Sequence, residues 1–191
     1  MLLRHYSPDE LATLLGSVGT NVQIESSVLL IEPRNIHIGS NVRIDVGCVL
    51  SAGAGIRIGN RVHIGAATHV FAGGAGVIVE DFCGISSRVS FFTSNDDYSS
   101  GYMTSTMVPA QYRKVRTAGI TLGRHVVIGC GSIIMPGVKL GFGAAIGAMS
   151  FVNKAVPDLA IVSGNPVRVI GHRDGDRLLS LEKKLMREQD A

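Results

Sequence analysis

Aliphatic residues recur every six positions along most of this chain. In the second half they are Leu122, Ile128, Ile134, Leu140, Ile146 and Val152, and four of them precede a glycine, as in Leu122-Gly123, Ile128-Gly129, Leu140-Gly141 and Ile146-Gly147. The first half keeps the same beat in groups of three: Ile38, Ile44 and Leu50, then Ile58, Ile64 and Val70, then Val79, Ile85 and Phe91. A period of six suits neither an amphipathic helix nor the two-residue alternation of an ordinary strand. It predicts a solenoid whose short parallel strands form the sides of a prism, with one inward aliphatic per side and about eighteen residues per lap. A second apolar or small residue stands two places before many of the inward ones, at Val42, Val62, Val77, Val126, Val138 and Ala144. Strand alternation puts it on the same inner face. One coil cannot bury that face alone, so stacked coils supply the core.

The beat is interrupted in a way that organises the chain. Small gaps fall between Leu30 and Ile38, Leu50 and Ile58, and Val70 and Val79. Ala52-Gly53-Ala54-Gly55 and Ala72-Gly73-Gly74-Ala75-Gly76 fill the last two and read as bulged corners. A phosphate-binding loop does not fit them, because no Lys-Ser/Thr follows and no helix opens there. The large gap runs from residue 93 to 118. It is polar and irregular, beginning Thr93-Ser94-Asn95-Asp96-Asp97-Tyr98-Ser99, and a long loop at a solenoid corner is a place for function.

Before the solenoid, Ser7-Pro8-Asp9-Glu10 carries the N-cap, first-turn proline and capping-box signals of a short helix ending near Gly16. After it, Leu178, Leu181 and Leu185 recur at helical spacing and predict an amphipathic helix covering a hydrophobic edge. The expected divisions are a helical segment over 1–20, the solenoid over 21–170 with its loop at 93–118, and a terminal helix over 171–191.

Composition narrows the function. The chain has 191 residues, 46% of them apolar, which is enough for one domain with an auxiliary element. Its net charge of +3 is mild and scattered, so nucleic acid is not an expected partner. Cys48, Cys83 and Cys130 are odd in number, widely spaced and free of any Cys-x-x-Cys, as in a reduced cytoplasmic protein without a zinc knuckle. Met1-Leu2-Leu3-Arg4-His5-Tyr6 lacks the features of a signal peptide, and no stretch is long enough for a membrane span.

With these residues in view, the chain resembles the hexapeptide-repeat acyltransferases, most of all the galactoside, maltose and surface-polysaccharide sugar acetyltransferases. The likeness rests on Val42-Arg43-Ile44-Asp45, Ser94-Asn95-Asp96-Asp97-Tyr98-Ser99, Val127-Ile128-Gly129 with Met135-Pro136-Gly137-Val138, and Gly164-Asn165-Pro166. It implies an all-β fold, a left-handed parallel β-helix. It also implies a homotrimer with active sites between subunits, and acetyl-CoA as co-substrate without a metal. The acceptor it implies is a small sugar, a precursor of lipopolysaccharide or O-antigen. Carried over by motif, Cys130, Gly147, Ala148, Asn153, Lys154 and Arg168 are the cofactor positions. Small residues there leave backbone amides open to pantetheine, and Lys154 and Arg168 suit phosphate charge.

The chain departs from the family at the proton acceptor. Members carry histidine in a loop pattern like Ser-His-Ser-Asp-Asp-Tyr, and Ser94 stands at its place here. A serine hydroxyl does not titrate near neutrality, and a positioned base contributes about 10²–10⁴ in rate. The catalytic candidates are therefore Asp96 and Asp97 with Ser94, and the acceptor-binding candidates are Asp45, Asn95, Tyr98 and His69. An amine acceptor needs less help than a hydroxyl, so the expected acceptor is a nucleotide-linked amino sugar. O-acetylation and a catalytically weak solenoid used for binding are the alternatives. His37, His63 and His69 each precede an inward aliphatic, and His125 precedes Val126, so all four are expected to point outward. No two histidines stand at short ligand spacing on one element, so neither a metal site nor a zinc-dependent carbonic anhydrase of the same fold is expected.

Overall fold

In the computed structural model, residues 4–189 are described. Residues 1–3 and 190–191 lie outside them, and with them the ends of the two terminal segments and Met1–Leu3 of the signal-peptide reading. Three parallel sheets form the sides of a prism. The first holds Ser17–Val18, Ile36–Ile38, Ile56–Ile58, Val77–Val79, Ile120–Leu122 and Lys139–Leu140. The second runs from Val22–Ile24 through Val42–Ile44, His63–Ile64, Gly84–Ile85, Val127–Ile128 and Ala145–Ile146 to Ala160–Ser163, where Arg168–His172 adds an antiparallel edge. The third holds Leu29–Ile31, Val49–Ser51, His69–Phe71, Ser90–Phe92, Ile133–Ile134 and Phe151–Val152.

The six-residue beat is the stacking register. On the third face Leu30, Leu50, Val70, Phe91, Ile134 and Val152 lie one above the next. On the second face Ile24, Ile44, Ile64, Ile85, Ile128 and Ile146 do the same. All of these except Leu30 are buried, and each fully buried aliphatic or aromatic contributes about 1.5–3 kcal/mol by leaving water. Laps differ in length. Ile24, Ile44 and Ile64 stack at intervals of 20 residues, whereas Ile128 and Ile146 are 18 apart. The extra residues sit at the corner from the third face to the first, in 32–35 and 52–55, so the insertions widen a corner and leave the core register untouched.

A different corner, from the first face to the second, carries a ladder of left-handed residues: Asn21, Asn41, Arg61, Phe82 and His125, with φ between 53° and 62°. Asparagine tolerates this region, while larger side chains carry a cost of about 1–2 kcal/mol. Contacts along the ladder offset it. Asn21 Nδ2 donates to Asn41 Oδ1 at 2.8 Å, Arg61 lies over the Phe82 ring, and Phe82 stacks on His125 with centroids 4.7 Å apart.

Helix α1 (Pro8–Leu14) has the full capping box at Ser7 and Glu10 and buries Leu11 against the first coils. Helix α2 (Gly175–Gln189) closes the other end, and here one expectation changes. His125 does not face solvent: its Nε2 lies 2.7 Å from Glu182 of α2, Arg124 bonds the other Glu182 oxygen, and Phe142 meets the ring edge-on. The six-residue pattern carries no information on what a terminal helix later covers. His37, His63 and His69 do point away from the core. Cys48 and Cys83 are buried, and burial pushes the Cys83 thiol up to about 12, while Cys130 is exposed.

Candidate active site

The chain leaves the prism after Ser90–Phe92 and forms a short antiparallel ribbon. Ser94–Asp96 pairs with Val115–Thr117, setting Ser94 opposite Thr117, Asn95 opposite Arg116 and Asp96 opposite Val115. The ribbon fits because the corner beneath it is glycine: a Cβ at Gly74 would collide with Ser94 Oγ and Thr117. Alternation then splits the ribbon into two faces. Ser94, Asp96, Val115 and Thr117 share the face turned to the glycine corner, and Asn95 and Arg116 share the other.

Asn95, Asp96, Asp97, Tyr98, Ser99, Lys114, Val115 and Arg116 line one cavity of about 590 Å³. Ser94 does not line it, since its hydroxyl is packed on Gly74. The two aspartates have different circumstances. Asp97 accepts from Lys114 Nζ at 2.9 Å and from the backbone and hydroxyl groups of Ser99 and Ser100. The Lys114 bond, then those from the serines, hold its carboxyl well below the usual carboxylate range. A carboxylate so satisfied orders the loop and is a poor proton acceptor. Asp96 Oδ1 is buried and has no hydrogen-bond partner. A buried unpaired carboxylate oxygen is costly, and Asp96 bears that cost while lining the cavity. Tyr98 stands at the rim, 76% exposed.

Asp45 and His69 lie elsewhere on the same chain. Asp45 occupies the corner after Val42–Ile44, where Arg43 Nε donates to it at 2.8 Å and His63 Nε2 at 2.8 Å. Burial raises its carboxyl, but the bonds from Arg43 and His63 outweigh burial and keep it below its ordinary value. His63 lies in the next coil, in register with Arg43, and reaches Asp45 diagonally. His69 is on the outer side of the third face, its ring tilted against Phe71.

The residues carried over for the cofactor fall on two ridges. Cys130, Gly147 and Ala148 follow second-face strands, and Asn153 and Lys154 follow the last third-face strand. The first ridge is tight: a Cβ at Gly129 would collide with Ala148 N, and one at Gly147 would lie 2.6 Å from Ser163 Oγ. These glycines are therefore required by stacking alone. Buried Ser132 accepts from Ser150 N at 3.2 Å and lies 2.9 Å from Gly129 O, fixing the corner and leaving Cys130 and Ala148 exposed on its outside. The second ridge is the same corner column from which the loop springs. Met135–Gly137 is its next step and Asn153–Lys154 the one after. Lys154 borders a hollow of about 280 Å³ with Val156, Pro157, Val162, Val167 and Val169. Arg168 is exposed on the edge strand that forms one side of this hollow. Among the described residues no group of three or more His, Cys, Asp or Glu is placed to hold a metal ion.

Known proteins share this fold. The N-acyltransferase AntD from Bacillus cereus, solved with dTDP and 3-hydroxybutyryl-CoA, is 38% identical over the whole of both chains and superimposes with a TM-score of 0.94. The chain belongs to the hexapeptide-repeat acyltransferase family. Its prism is the left-handed parallel β-helix of that family. A point variant of AntD was solved with dTDP-4-amino-4,6-dideoxyglucose and coenzyme A. The dTDP-4-amino-4,6-dideoxy-D-glucose acyltransferase of Escherichia coli is 42% identical over 106 residues, which is 56% of this chain and 55% of that protein. The chain thus spans about half the length of the curated relatives it matches. A hexapeptide-repeat acetyltransferase of Vibrio cholerae, solved with acetyl-CoA, shares the fold at 19% identity and a TM-score of 0.62, over 87% of this chain and 76% of that one. No family model matches the chain.

Lys114 and Arg116 were not among the residues singled out by sequence. Their signal was available in Arg113-Lys114-Val115-Arg116-Thr117, whose alternation reads as the return strand of a ribbon begun at Ser94. The loop's polar composition hid that pairing.

Proposed function

We propose that this chain transfers an acetyl group from acetyl-CoA to the amine of a nucleotide-linked amino sugar. The observation that carries the reading is Asp96 in the lining of the loop cavity, a half-buried carboxylate with one oxygen left without a hydrogen-bond partner. AntD's ligands, a dTDP-amino sugar and a CoA ester, support it. Asp96 receives a hydrogen bond from the acceptor nitrogen and orients its lone pair toward the thioester carbonyl. As the C–N bond forms, the nitrogen becomes positively charged and acidic, and a carboxylate suffices to take its proton. The C–S bond then breaks, and coenzyme A leaves as the thiolate and is protonated. A sugar hydroxyl must lose its proton as it attacks, and so demands more of the proton acceptor than an amine does.

Tyr98 and Asn95 border the acceptor, while Cys130, Ala148, Asn153, Lys154 and Arg168 follow the coenzyme's length, the cations meeting its phosphates. Ser94 acts only through the packing of the ribbon on Gly74. The working form is a homotrimer. Its support is the outward side of the third face, where Leu29, Ile31, Phe71 and Ile133 are exposed apolar residues in one sheet. In that assembly Asp45 and His69 serve the loop of a neighbouring copy. The product fits surface-polysaccharide synthesis in the cytoplasm. Among the described residues no helix is long and apolar enough to cross a membrane.

The test is a side-by-side assay. With acetyl-CoA as donor, a dTDP-linked 4-amino sugar and its 4-hydroxyl analogue are offered separately and free thiol is followed. Turnover of the amine alone, or faster by two orders of magnitude or more, is expected. Efficient turnover of only the hydroxyl compound would make this an O-acetyltransferase.

A further inference from the structure

The cavity that holds Asp96 also holds Arg116, and the two differ from the other charges there. Lys114 is neutralised by Asp97 at 2.9 Å and lies over the Tyr102 ring. Asp97 is saturated by Lys114, Ser99 and Ser100. Arg116 is exposed, lines the cavity, and has no ion pair or side-chain hydrogen bond among the described residues. It stands on the ribbon face opposite to Asp96, one register step away.

The Arg116 guanidinium also reaches over the next corner. Its Nη2 lies 3.7 Å from where a Cβ of Gly137 would be, over the next corner of the column that leads to Asn153 and Lys154. A cation at this location is separated from the coenzyme's end of the column by one coil and from Asp96 by the width of the ribbon. Guanidinium is planar and always charged, and it matches phosphate oxygens two at a time.

We infer that Arg116 is the residue that recognises the diphosphate of the acceptor. This rests on the proposed acceptor being a nucleotide-linked amino sugar, and it adds how the site reads the nucleotide part. A carboxylate lacking a donor and a guanidinium lacking an acceptor, both in one cavity, form a dipolar match to such a molecule. The amine goes to Asp96 and the two phosphates to Arg116. A free amino sugar satisfies only half of this arrangement, so the pair selects for the activated sugar. Lys114 cannot take this part while Asp97 holds it, and Tyr98 carries no charge to offer.

Calorimetry with dTDP as probe, on the parent, Arg116→Gln and Arg116→Lys, tests the assignment. The expected result is dTDP binding weakened about tenfold to a hundredfold in Arg116→Gln, with partial recovery in Arg116→Lys. In the kinetic assay the Michaelis constant for the dTDP-linked amino sugar rises by the same factor and that for acetyl-CoA stays the same. The unchanged acetyl-CoA constant shows that the variant is folded and keeps its donor site. If the parent binds dTDP and Arg116→Gln binds it equally well, the assignment is overturned and the functional reading stands. If the parent neither binds dTDP nor turns over the linked amino sugar, the functional reading falls and the assignment falls with it.

Discussion

Asp96→Asn lowers turnover of a dTDP-linked amino sugar by about 10²–10⁴, the contribution of a positioned proton acceptor. Asparagine keeps the size of the side chain and can still accept a hydrogen bond through its oxygen, but it cannot take the proton. The loss therefore belongs mainly to kcat. Binding of acetyl-CoA is expected to be unaffected, because the proposed donor ridge begins one coil beyond the loop. Asp97→Asn behaves differently, since Asp97 holds the loop through Lys114, Ser99 and Ser100. Steady-state kinetics on both variants separates the roles. Equal kcat in Asp96→Asn and the parent would remove Asp96 from the chemistry.

The second large effect is on the fold. Phe91 is fully buried and stacks between Val70 below and Ile134 above, at the coil from which the loop departs. Phe91→Ala removes the largest side chain of that column and costs about 3–5 kcal/mol, which lowers the midpoint of thermal unfolding by roughly 6–20 °C for a chain of this size. Each coil of a solenoid is supported only by its neighbours, so the damage spreads to the ribbon at 94–117. Phe92, the next residue, points outward against Phe71, and Phe92→Ala serves as the comparison, with a smaller loss. A Phe91→Ala protein that melts with the parent would contradict the inward register.

The core of this protein was legible in the sequence because stacking is periodic. Every coil must place an aliphatic at the same height on each face, so Ile128 and Ile146, one eighteen-residue lap apart, reveal their contact by spacing alone. The corner insertions were equally readable, since extra glycines between beats have nowhere to go but a corner. The loop was legible as an interruption and through its acidic pair, but not as geometry. Asp96 and Asp97 are adjacent and identical in composition, and what separates them is the return strand: Lys114 reaches one and leaves the other with a buried oxygen that has no partner. The burial of His125 beneath Glu182 was hidden for a similar reason, because the two are joined by tertiary docking across 57 positions. His63 stacks on Arg43 in the next coil and reaches Asp45 diagonally, a contact that depends on the length of the corner insertion.

The cofactor positions show the opposite weakness. Gly147 matches the family's motif, yet close stacking against Ser163 already demands a glycine there, so the motif residue and the structural residue are the same. Cys130 and Ala148, exposed on the outer side of that ridge, are the better guide to where the proposed ligand lies.

The most direct measurement of the central claim is the chemical nature of the bond made. The parent protein is incubated with acetyl-CoA and a dTDP-linked 4-amino sugar, and the product is analysed by proton NMR before and after mild hydroxylamine treatment. The account predicts a single acetyl group on nitrogen, seen as an amide that survives hydroxylamine. An acetyl ester on a ring hydroxyl that hydroxylamine removes, with the amine left free, would contradict it.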